Sequence, residues 1–187
     1  TRGSIIALQG ADYVLIAADV SCARSIVVMK DDMDKIRQLD EGKLFAAAGV
    51  PGDVTKFSEH VQKDVRLYSL RSGISMSTAA VANYTRGELA HFLRRSPFQC
   101  NVIIGGYDKA PNGDGPSLYS CDYLGTLTKL TFAAEGYAQY FVLSTLDRYW
   151  KKGMSLDEGL DAIRKCIAEV QKRLVLISRA SLSRCCP

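Results

Sequence analysis

The chain has 187 residues, with 24 Lys and Arg against 20 Asp and Glu for a net charge of +4, and 47% of it is hydrophobic. A chain of that length can bury roughly 70% of the surface its unfolded form exposes, so its core needs neither disulfides nor metal, and it is too apolar to be disordered. No stretch approaches the ~18 consecutive apolar residues of a membrane span, and charges mix in sign, as in Lys30-Asp31-Asp32-Met33-Asp34-Lys35, which argues against a membrane or nucleic-acid partner.

No repeat, linker or low-complexity tract divides residues 1–187, so one domain is expected. Ser4-Ile5-Ile6-Ala7-Leu8 and Tyr13-Val14-Leu15-Ile16-Ala17-Ala18 read as strands joined by the hairpin turn Gln9-Gly10-Ala11-Asp12. Ile26-Val27-Val28-Met29 and Lys43-Leu44-Phe45-Ala46-Ala47-Ala48 read as two more, with Asp40-Glu41-Gly42 between them. Their near-continuous apolar runs predict a sheet covered on both faces. From Asp53, read as an N-cap, Val54, Phe57, Val61, Val65 and Tyr68 line one face of a helix that ends near Gly73. A second helix is predicted from Ser77 to about Leu93. Strands return at Cys100-Asn101-Val102-Ile103-Ile104, at Ser117-Leu118-Tyr119-Ser120-Cys121 and around Lys129-Leu130-Thr131. Two helices close the reading, one over about Ala138 to Trp150 and one opened by the capping box Ser155-Leu156-Asp157-Glu158. Strands, two helices, strands, two helices argue an α+β fold with two stacked sheets between two helical layers.

Candidate chemistry is sparse. Cys22, Cys100, Cys121, Cys166, Cys185 and Cys186 form no CxxC pair, and His60 and His91 lie at no zinc spacing, so no metal or other cofactor is expected. The first four cysteines are expected in the core, and Cys185-Cys186 at an exposed or strand-edge position. The aromatic set Tyr137, Tyr140, Phe141, Tyr149 and Trp150 is expected mainly in the core, with some left for a neighbouring chain. With no charged-then-apolar leader, reduced thiols in the cytoplasm and nucleus are the expectation. Thr1 is the one nucleophile candidate that carries its own base, because a free α-amine beside its hydroxyl titrates near pH ~8.

Short motifs follow in one order at one set of spacings: Ala17-Ala18-Asp19, Asp34-Lys35, Ala48-Gly49, Gly105-Gly106-Tyr107-Asp108, Gly115-Pro116-Ser117-Leu118-Tyr119 and Asp122-Tyr123-Leu124-Gly125. With the opening hairpin they resemble the beta subunits of the 20S proteasome over about Ser4 to Arg173. Gln9-Gly10-Ala11-Asp12-Tyr13-Val14-Leu15, Met29-Lys30-Asp31-Asp32, Phe132-Ala133-Ala134-Glu135-Gly136-Tyr137 and Leu146-Asp147-Arg148-Tyr149 are most similar to the eukaryotic beta type-4 members, which are non-catalytic. The resemblance implies the four-layer αββα sandwich of the N-terminal-nucleophile hydrolases. It also implies, as partners, the third and fifth beta subunits, beta subunits of the opposite ring and alpha-ring subunits. Its expected role is to wall the chamber used in ubiquitin-dependent and ubiquitin-independent degradation, beside the catalytic fifth subunit.

Active members of that family use an N-terminal threonine, an aspartate, a lysine, an oxyanion glycine and a late Ser/Asp/Ser set. The resemblance puts Asp19, Lys35 and Gly49 on the aspartate, lysine and glycine positions. Thr1 is out of register, two residues too far upstream of Asp19, so that Gly3, or Arg2 if the turn holds one extra residue, takes the nucleophile's place. Two residues of strand are roughly 6.5 Å. The supporting set is replaced by Gly136-Tyr137-Ala138-Gln139 and Arg173-Leu174-Val175-Leu176-Ile177. The expectation is therefore no catalytic residue, with Asp19 and Lys35 left as a buried ion pair and Gly49 kept for a tight turn. An active threonine endopeptidase using Thr1 stays open as the alternative, in case the excess length is taken up at Gln9-Gly10.

Overall fold

The computed structural model describes the chain apart from residues 1–2, 25–26, 31, 110–112, 175–179 and 187, with residues 23–24, 27–30 and 180–186 described by backbone alone. In chain order it has β1 (Ser4–Gln9), β2 (Val14–Asp19), β3 (Cys22–Arg24), β4 (Val27–Lys30), β5 (Ile36–Asp40), β6 (Lys43–Gly49), α1 (Pro51–Ser72), α2 (Thr78–Phe92), β7 (Cys100–Asp108), β8 (Gly115–Cys121), β9 (Leu127–Leu130), β10 (Phe132–Gly136), α3 (Gln139–Tyr149), α4 (Leu156–Arg173) and β11 (Ala180–Cys186). One sheet runs β10-β1-β2-β11 and the other β5-β6-β7-β8-β9, both antiparallel, with β3 and β4 paired as a separate ribbon.

Three buried clusters define the layers. Ile5, Ala7, Val14 and Ile16 meet Leu44, Ala46, Ile103 and Leu118 between the sheets. Ile6, Leu8 and Leu15, on the other face of the first sheet, pack on Val142, Leu146, Ile163 and Cys166 of α3 and α4. Phe45, Val102 and Ile104 pack on Phe57, Val61 and Leu89 of α1 and α2. Each of β1, β2 and β6 is thus apolar on both faces, which is why those strands read as unbroken apolar runs. Burying a side chain such as Phe57, in contact with Phe45 and Phe98, contributes about 1.5–3 kcal/mol. The chain is an α+β sandwich of the four-layer type.

Several local readings change. β5 is a strand that alternation does not announce: Ile36 and Leu39 are both buried although three apart, because a register shift between Gln38 and Asp40 resets the pattern. The link before β6 is therefore Glu41-Gly42. Helix α1 starts earlier than expected, with Val50 at the N-cap and Pro51 in its first turn. Asp53, not a cap, accepts instead from the Gln99 N–H at 3.1 Å. At its other end Gly73 adopts φ 70°, as a left-handed stop. Strand β7 runs on through Gly105 and Gly106, where a Cβ would meet Val14 of the opposite sheet and Thr78 of α2. After β9, Thr131 carries the chain across to β10 in the other sheet, its carbonyl accepting from Gln9 N–H at 2.8 Å. The last strand, β11, adds to the edge of β2, so the tail after Arg173 continues the fold. Cys22, Cys100, Cys121 and Cys166 are buried; Cys185 and Cys186 lie in an edge strand and their side chains fall outside the described residues. Of the aromatic set, Phe141, Tyr149 and Trp150 pack on the core, whereas Tyr137 and Tyr140 are exposed at 42% and 74%.

Candidate functional site

The hairpin β1–β2 ends with Asp19 opposite the start of β1, and the segment leading into β5 brings Lys35 under it. The Lys35 ammonium pairs with Asp19 Oδ1 and donates to the Ser21 carbonyl at 2.7 Å. The Ser4 N–H donates to the same Asp19 oxygen at 2.9 Å. Both charged side chains are buried. Burial pushes the Asp19 carboxyl above its usual range, against the opposing pull of the Lys35 charge and hydrogen bond and of the Ser4 N–H.

Gly3 is the residue that faces this pair. A Cβ built on it would stand 3.6 Å from Lys35 Cε and 3.7 Å from Ala48 Cβ. No side chain therefore projects towards the ammonium from that position. Gly136 closes the other side, since a Cβ there would meet the Gly3 carbonyl. Between Gly3, Cys22, Met33, Lys35 and Gly49 there is free space of about 10 Å³, at the lower limit for one water. The Cys22 thiol borders that space, too confined to meet a carbonyl substrate.

Gly49 ends β6 without a positive φ, where the chain passes through Val50 into α1. The glycine is needed because a Cβ would run into the backbone of Gln99 and Cys100. An open groove of about 330 Å³ passes from Gly49 to Gln99, Asn101 and Tyr123. Behind it lies a cluster that sequence reasoning missed. Glu135 accepts from Asn101 Nδ2 at 2.9 Å and lies 3.4 Å from Ser120 Oγ. Burial raises its carboxyl above the usual range, against the hydrogen bonds from Asn101, Ser120 and the Gly136 backbone and with a smaller push from Asp122. Glu135 in an otherwise apolar strand was the one signal available for it.

Of the residues expected at the site, Asp19, Lys35, Gly49 and Gly3 come together. Thr1 and Arg2 lie outside the described residues, as do Val175, Leu176 and Ile177. Ala138 is fully buried at the start of α3, in the α3–α4 layer rather than beside Lys35, and Leu174 packs on that layer too. His60 sits between the outer helices, 2.7 Å from Glu88. Among the described residues no group of His, Cys, Asp and Glu is arranged to hold a metal ion, and no helix is long and apolar enough to cross a membrane.

Comparison with known proteins matches the Proteasome subunit family over residues 1–179. The chain is 48% identical over 172 residues to Proteasome subunit beta type-2-B of Arabidopsis thaliana, covering 92% of the chain and 85% of the relative. It is 44% identical over 179 residues to Proteasome subunit beta type-2 of Dictyostelium discoideum, covering 96% and 90%. With Proteasome subunit beta type-4 of Saccharomyces cerevisiae it shares 41% over 171 residues, covering 91% and 85%. Type-2 and type-4 designations thus both occur among relatives of comparable similarity.

Proposed function

Because the chain belongs to the proteasome subunit family, as a beta subunit of the 20S core particle, we propose that it is a non-catalytic member of its ring, a wall segment of the proteolytic chamber. The observation that carries this reading is the glycine facing Lys35. In an active member of the family the nucleophile's hydroxyl would occupy that place, and here the position offers no side chain at all. A nucleophile supplied from elsewhere would have to reach a space of about 10 Å³, and positional errors of even about 1 Å cost roughly a hundredfold in rate. Asp19 and Lys35 then serve the fold, tying the starts of β1 and β5 together with the end of β2. The role is geometric: the chain packs between the third and fifth beta subunits, beneath alpha subunits and against beta subunits of the opposite ring, in cytoplasm and nucleus. Beside the catalytic fifth subunit it borders the chamber in which ubiquitin-tagged and untagged proteins are degraded.

Native mass spectrometry of the endogenous particle after treatment with a threonine-directed electrophile tests both halves. The expected result is a particle of stacked heptameric rings in which catalytic neighbours gain the adduct and this chain does not. A lone chain near 20.5 kDa would refute assembly. An adduct on Thr1, lost with Thr1→Ala, would refute the non-catalytic reading in favour of an active threonine endopeptidase.

A further inference from the structure

Glu135 belongs to the first sheet, where β10 pairs it with Ile5 of β1. Its two hydrogen-bonding neighbours, Asn101 on β7 and Ser120 on β8, belong to the second, so the carboxyl ties the two sheets together at their edge. Asn101 is held in one orientation: its Nδ2 donates to Glu135 at 2.9 Å while its Oδ1 accepts from the Tyr123 N–H at 3.1 Å. Tyr123 lies in the turn joining β8 to β9, which Asp122 holds from within by accepting from the N–H groups of Leu124 at 3.0 Å and Thr126 at 2.8 Å. The turn presents Tyr123 and Leu124 to solvent, 45% and 49% exposed.

We propose that Glu135, Asn101 and Tyr123 form a charge-sensitive latch that holds the β8–β9 turn against the first sheet and so sets how the Tyr123–Leu124 tip is presented. A protonated Glu135 fits this network without charge, its carbonyl oxygen accepting from Asn101 and its O–H donating to the Ser120 hydroxyl. An ionised Glu135 places a second negative charge near Asp122, the residue that shapes the turn. The elements packed against it bring no compensating cation. Strands β1 and β8 carry no charged residue. Lys43 of β6 stands at the far end of the sheet, 3.8 Å from Asp108, the one charged residue of β7. In α3, Asp147 and Arg148 fall in the last turn. The neighbouring thiols of Cys100 and Cys121 are neutral, pushed up by burial to about 12 and about 11. Burial raises the Glu135 carboxyl, with a smaller push from Asp122, and outweighs the hydrogen bonds from Asn101, Ser120 and the Gly136 backbone that pull the other way. Rising pH therefore charges the latch and loosens the turn.

Amide hydrogen exchange in the full chain tests the latch at the Tyr123 N–H. After correction for intrinsic rates, protection of this amide is expected to fall several-fold between about pH 4, below the ordinary glutamate range, and about pH 8, while the Ile103 amide of the central strand stays constant. In Glu135→Gln, protection should stay high at both pH values. In Asn101→Asp, which replaces the donor by a carboxylate, it should be low at the higher pH. A pH-independent Tyr123 amide in the native chain overturns the proposal, whether or not the variants fold. An unchanged pH dependence in Glu135→Gln, or a change shared with Ile103, overturns it equally.

Discussion

Replacing Lys35 by Met separates a structural ion pair from a catalytic one. Methionine keeps the unbranched length of the side chain and removes the ammonium, leaving the Asp19 carboxylate with backbone N–H donors, Ser4 among them, in a buried site. Removing one partner of a buried pair costs about 3–5 kcal/mol, whereas replacing both by uncharged groups is often close to neutral. Lys35→Met is therefore expected to lose about 3–5 kcal/mol near neutral pH, and the double variant Asp19→Asn, Lys35→Met to recover most of that loss. The deficit should shrink in acid. Asp19 is already raised by burial, and without Lys35 its folded carboxyl binds a proton still more readily than the unfolded one. Between those two pKa values the folded state holds more protons, so stability of the variant falls as pH rises. Urea unfolding followed by the fluorescence of Trp150, the single tryptophan, packed on Phe132 at 6.0 Å, measures all three chains. A loss below about 1 kcal/mol in Lys35→Met, or a double variant as unstable as the single one, would refute the buried-pair account.

Two further outcomes follow from packing and burial. Gly159→Ala should destabilise by about 1–3 kcal/mol in the same unfolding assay, because its Cβ would drive into the Tyr13 ring and hydroxyl, which donates to the Ser155 carbonyl at 2.7 Å. Combining it with Tyr13→Phe should recover part of the loss. Alkylation of native chain mapped by peptide mass should leave Cys100, Cys121 and Cys166 largely unmodified near neutral pH. Their thiols are pushed up by burial to about 12, about 11 and about 12, and the thiolate is the reactive form. Modification of these three should appear on unfolding or at strongly alkaline pH.

The layers were legible because burial on both faces leaves a compositional trace. Ile5-Ile6-Ala7-Leu8 and Leu44-Phe45-Ala46-Ala47 each divide alternately between the central core and a helical layer, and no loop does that. The capping box at Ser155 is present with both its bonds, because its signal is local. What was not legible depends on partners distant in sequence. β5 is hidden by its bulge, and β10 by the crossing at Thr131, which changes sheets within one residue. Asp53 has a helix-capping side chain, yet Pro51 starts the helix earlier and the carboxylate finds Gln99 instead. At the site, motif spacing located Asp19, Lys35 and Gly49. The close approach of the Gln99 backbone to Gly49, and the cross-sheet bonds of Glu135, exist only after the sheets have stacked, so no local pattern records them.

The strand order β10-β1-β2-β11 also governs how the chain can be built during synthesis. The hairpin β1–β2 emerges well before both of its neighbours, with Ser4 opposite Gly136 on one side and Val14 opposite Cys186 on the other. Until those residues leave the ribosome, the hairpin has two unpaired edges and an uncovered apolar face, the state most open to pairing with a wrong strand. Such distant pairing also makes closure slow, since long loops must be ordered before the contacts reward them. Early and late strands are thus interlocked in one sheet. A nascent chain that stops short of β11 leaves β2 as an open edge along which a foreign strand can pair.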